Sequence, residues 1–112
     1  MQIQIVARNL ELTDAQRVIV ERRLRFALGG FGPRIRRVEV ILGDENGLRG
    51  GAGTICRIVA RIVPRGMVRA EVTDVGVEVA VSRAAKRITR RGLTELEHRR
   101  TSRAVRVSPY EG

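Results

Sequence analysis

The segment TICRIVARIV, residues 54–63, alternates without interruption. Cys56, Ile58, Ala60 and Ile62 fall on one side, and Arg57 and Arg61 fall on the other beside Ile55 and Val59. A period of two marks a strand with one face turned to a core and one to water. Three further stretches carry the same period. Gln2, Ile3, Gln4 and Ile5 alternate at the start of the chain. In IRRVEVIL, Val38, Val40 and Leu42 oppose Arg37 and Glu39. In MVRAEV, Val68, Ala70 and Val72 oppose Arg69 and Glu71. The short PRG turn between the last two strands implies an antiparallel pair.

Two stretches follow the helical period instead. Thr13 with Gln16 three residues on has capping-box spacing, and a helix follows through AQRVIVERRLRFAL. Ile19, Val20, Leu24 and Ala27 share its inner face with Phe26 at the flank, and Arg17, Glu21 and Arg25 lie opposite. Gly29 and Gly30 suit a left-handed cap, and Pro33 blocks continuation. Asp74 is the expected cap of the last helix, whose apolar stripe is Val77, Val81, Ala84, Ala85 and Ile88. The stripe fails after Gly92, where Glu95 would land on the same side. LTELEHRR is therefore expected to project past the sheet or fray.

The predicted order is β-α-β-β-β-α, an α+β fold. A helical crossover makes the first two strands parallel neighbours, and the remaining turns give antiparallel ones. The result is a four-stranded mixed sheet with two helices on one face, like a double-stranded-RNA-binding domain. The length of 112 residues suits one domain, expected over residues 1–100, with 101–112 as a flexible tail. A glycine-rich loop, GDENGLRGGAG, separates the second and third strands.

Charge narrows the function. The formal net charge is +10, and of 22 basic residues only Lys86 is a lysine. Codon usage in a GC-rich genome accounts for part of the arginine bias, but not for the excess of positive charge. Arginine binds phosphate through a planar fork, and a domain this basic points to a polyanion. Cys56 is the one cysteine, so no internal disulfide forms, which fits a reducing cytoplasm. MQIQIVARNL is too polar for a secretion signal, and no apolar run approaches the ~18 residues a membrane span needs.

No catalytic or metal constellation stands out. His98 is a lone histidine, and Cys56 sits on an inward strand position. Asp44 and Glu45 lack an opposing base, and GLRGGAG lacks the order of a phosphate-binding loop, although its amides and Arg49 could touch a phosphate. The reading is a non-enzyme with no cofactor and no small-molecule substrate. The last helix is the exception. Arg83, Lys86, Arg87, Arg90 and Arg91 occupy the arc opposite its apolar stripe. Arg83 with Arg87, Lys86 with Arg90, and Arg87 with Arg91 stand at i, i+4, a spacing that destabilises a helix by a few tenths of a kcal/mol per like-charged pair. A solvated face would mix signs. Arg22, Arg23 and Arg25 of the first helix would border a shared groove if the helices lie side by side. The apolar face is Val and Ala rather than bulky membrane anchors, so nucleic acid is preferred. With three aromatic residues in the chain, two Phe and one Tyr, binding is expected to rest on phosphate contacts and shape.

The chain resembles the ribosome hibernation-promoting factors, also called ribosome-associated inhibitors or sigma-factor modulation proteins. The resemblance runs over MQIQIVARNLELTDA, RRVEVILGDENG and EVTDVGVEVAVSRAAKRITR, within residues 1 to about 100. It implies a cytoplasmic, stationary-phase stress protein that binds the small ribosomal subunit in the mRNA and tRNA channel against its rRNA. Such binding blocks initiation and stores idle ribosomes. The family's basic positions on the last helix fall on Arg83, Arg87 and Arg90, and those on the first helix on Arg22, Arg23 and Arg25. Glu78 stands where family members often carry a Tyr. The chain looks like a short form without the second, dimerising domain, although the exposed first and fourth strand edges permit a homodimer. Two other readings compete: a free-standing duplex RNA or DNA binder, and an adaptor for an acidic protein.

Overall fold

The computed structural model describes residues 1–44 and 53–94. The glycine-rich loop with Glu45 and Arg49, the segment from Glu95 with His98, and the tail from 101 to 112 lie outside the described residues. Four strands appear, β1 (Gln2–Arg8), β2 (Ile35–Asp44), β3 (Gly53–Ile62) and β4 (Met67–Val75), with helices α1 (Asp14–Leu28) and α2 (Val77–Arg87). They form one sheet in the order β1-β2-β3-β4. The β1–β2 pair is parallel, and the other two pairs are antiparallel. The expected α+β architecture is the one observed. The strands around the glycine loop run further than their alternation suggests, since Gly43, Asp44 and Gly53 all pair.

Register explains why one face becomes the core. Ile3 lies beside Val38, Val38 opposite Ala60, and Ala60 opposite Val68, so each apolar row continues across the sheet. Val38, Val40, Leu42, Cys56, Ile58 and Ala60 are fully buried on that face. α1 covers them with Val20, Leu24 and Leu28, and α2 with Val77, Ala80, Val81, Ala84 and Ala85, joined by Ile88 just past its end. Ile19 and Ala27 flank the inner stripe of α1 and are half-buried. Burial pushes the Cys56 thiol up to about 12, so it stays protonated and unreactive in the fold.

The other face carries the expected charges. Arg57 sits opposite Glu71 and bonds it at 2.9 Å. Arg61 reaches diagonally to Glu39 at 3.7 Å, while Arg37 donates to Gln4. Exposed pairs of this kind contribute little individually, but they place unlike charges side by side across the strands.

α1 starts as its sequence predicts and ends differently. The capping box forms: Thr13 Oγ1 accepts from the Gln16 amide at 3.0 Å, and Gln16 Oε1 accepts from the Thr13 amide at 2.9 Å. The left-handed stop does not form. Gly29 has φ −59° and ψ −32°, and the chain continues as a 3-10 turn over Gly29–Arg34 with Pro33 inside it. Continuing the turn lets Phe31 pack against the core, which an abrupt stop would forfeit. The β3–β4 connection holds a cis Val63–Pro64 bond and Gly66 at φ 114°, closed by the Ile62 amide donating to the Gly66 carbonyl at 2.9 Å.

Candidate nucleic-acid interface

The start of α2 sets the orientation of its cations, and it differs from expectation. Asp74 is not the cap; it belongs to β4. Gly76 caps the helix with φ 89° and no side-chain bond, a backbone angle that favours glycine. The Asp74 carboxylate is occupied otherwise. It accepts from Arg83 Nη1 at 2.6 Å and from the Val75 amide at 2.7 Å. The Arg83 hydrogen bond first, then the Val75 amide, hold the Asp74 carboxyl below its ordinary value; partial desolvation opposes them and the Arg83 charge adds to them.

The cations then line up along β4. Arg87 Nη1 donates to the backbone carbonyl of Glu71 at 2.9 Å. Past Arg87 the helix widens into a π turn over Ile88–Leu93. Five residues along an α-helix turn through about 140° beyond a full circle, so Ile88 and Leu93 would diverge. The wider turn lets both reach the core, and both are buried. Thr89 Oγ1 donates to the Ala85 and Lys86 carbonyls at 3.0 and 2.9 Å where the turn opens. Gly92 makes the approach to β4 possible: a Cβ there would lie 2.0 Å from Val68 Cγ1.

Arg83, Lys86, Arg87, Arg90 and Arg91 thereby meet along one open cleft, with Glu71, Val72 and Thr73 of β4 as its other wall. Arg83 and Arg87 are braced by protein acceptors. Lys86, Arg90 and Arg91 have no ion pair among the described residues, so their charges face solvent. The spacing that costs helix stability is thus offset at the two positions that find partners.

The first helix contributes unevenly. α1 and α2 pack side by side, and a second groove between them is lined by Arg22, Arg23 and Lys86. Arg23 spans it, donating to Ser82 Oγ at 2.7 Å and to Glu78 at 3.2 Å. Glu78 is therefore an internal partner for a first-helix cation. Arg25 does not join the groove; it pairs with Glu21 at 3.1 Å one turn back, on the outer side of α1. Arg17 turns away as well, its Nη1 lying 3.4 Å from the Ile5 carbonyl of β1. The sequence does not mark Asp74, Ser82 and the Glu71 carbonyl as bracing acceptors. Asp74 was readable only as a cap, and a backbone carbonyl leaves no mark in a sequence.

A fold of this order has known counterparts. The sigma 54 modulation protein / S30EA ribosomal protein family matches residues 3–100. The chain belongs to this family. It is thus a member of the ribosome-associated modulation proteins that include the hibernation-promoting factors. The N-terminal domain of Thermus thermophilus Protein Y is similar, with 30% identity and a TM-score of 0.63 over 79% of this chain and 91% of that one. A ribosomal subunit interface protein from Coxiella burnetii shares the fold at a TM-score of 0.71 and 15% identity, over 90% of this chain and 99% of that one. No curated protein sequence matches the chain. No helix among the described residues is long and apolar enough to cross a membrane.

Proposed function

We propose that this hibernation-family protein binds the small ribosomal subunit through its rRNA, in the mRNA and tRNA channel, and silences idle ribosomes without catalysis. The observation that carries the reading is the cleft beside α2, where five cations converge and three of them have no ion pair among the described residues. Arginine forks held by Asp74 and the Glu71 carbonyl are pre-positioned, so fewer rotamers are lost when phosphates arrive. Family membership and the subunit-interface protein of like fold support the ribosome as the RNA's location. The binding unit is taken as residues 1–100, with 101–112 outside it.

Co-sedimentation with purified small subunits tests this. K86E/R90E/R91E is the informative variant, because none of these side chains has an ion pair among the described residues and the fold is expected to survive. Pelleting should be lost while the circular dichroism spectrum stays that of the wild type. Retained pelleting overturns the site. Preferential binding to naked RNA duplex over intact subunits would favour a free-standing duplex binder instead.

A further inference from the structure

Phe26 is the most exposed large hydrophobic residue among those described, at 89%. It stands on α1 in the groove facing α2, not on the helix's outer side. Lone exposed apolar residues are common and mean little by themselves. Phe26 differs in its surroundings. Ile19, Ala27 and Ala85 give the groove apolar walls, while Arg22 and Lys86 stand among them beside the Arg23–Glu78 pair, whose charges offset each other. The open volume is about 730 Å3, within the range that accepts small ring systems. Lys86 also lines the phosphate-facing cleft, so the two grooves meet across the cationic face of α2.

We propose that this groove receives one unpaired nucleobase, stacked on the Phe26 ring, while Arg22 and Lys86 hold the flanking phosphates. The proposal rests on the RNA-binding reading above and adds a contact to it. Every base has a π face, so such a stack adds affinity for unpaired nucleotides without reading sequence. The cations fit the charge of the backbone on either side, and a base in a paired helix could not enter.

The chain has no tryptophan, so F26W installs a single tryptophan in the groove, excited selectively apart from Tyr110. The probes are a short oligoadenylate strand, a fully paired RNA duplex of equal charge, and heparin, which has charge but no bases. Oligoadenylate should quench F26W, and duplex and heparin should not. F26L keeps the bulk but removes the π face; it should bind oligoadenylate about ten-fold more weakly, the size of one lost stack, with duplex affinity unchanged. Equal quenching by heparin, or an F26L that binds oligoadenylate like the wild type, overturns the stack. So does an F26W signal that depends on protein concentration alone with dimer sedimentation, which would mean a second copy fills the groove. Failure of the wild type to bind small subunits or any RNA would sink the underlying function instead.

Discussion

Asp74 holds a cation and a backbone amide at once, through Arg83 at 2.6 Å and Val75 at 2.7 Å. That double hold gives the residue a pH signature. In the unfolded chain its carboxyl titrates at about 3.9, and in the fold it titrates lower. Above that unfolded value both states are ionised and the contribution to stability is complete. As the pH falls, the unfolded chain takes the proton first, and the contribution disappears as the pH passes through the folded value. D74N lacks this contribution at every pH. The gap between wild-type and D74N urea midpoints should therefore be widest near pH 7 and narrow below about pH 4. An unchanged gap in acid would mean that Asp74 acts only through its shape.

At the scale of elements, the π turn and β4 are fitted to each other at one point. Gly92 abuts Val68, and a methyl group would meet Cγ1 at 2.0 Å. Val68 is β-branched and cannot rotate away freely. G92A should cost about 1–3 kcal/mol in chemical denaturation, and V68A should restore part of it. Equal stability of G92A and wild type would show that the turn slides along β4. Much of this level was legible beforehand. Alternation located all four strands and their inward faces, and Thr13 with Gln16 located the start of α1, because each depends on neighbours in sequence. The cap at Gly76, the turn after Leu28 and the burial of Leu93 were not legible. Each is decided by a distant contact: Asp74 with Arg83, Phe31 with the core, and Gly92 with Val68. The cationic ridge was visible as a helical arc, but its division into braced and unbraced members was not. Arg25 illustrates the limit, since a one-turn partner at Glu21 turns it from the groove it was expected to border.

For the whole molecule, the net charge of +10 should govern how binding responds to salt. Each neutralised phosphate contributes roughly −0.7 to −0.9 to the slope of log affinity against log salt. K86Q/R90Q/R91Q should flatten that slope by about 2–3 in RNA titrations over a range of potassium chloride concentrations. A slope unchanged from wild type would place the phosphate contacts elsewhere. The same ridge has a second effect. β4 is the last strand of the sheet, with no strand paired on its outer side among the described residues. Such an edge is a template on which a stranger's chain can pair and begin to aggregate. Arg87 already occupies the Glu71 carbonyl on this strand, and a row of like charges stands beside it. A second copy approaching that edge would meet its own charge, so the ridge proposed to bind RNA would also oppose strand pairing between copies.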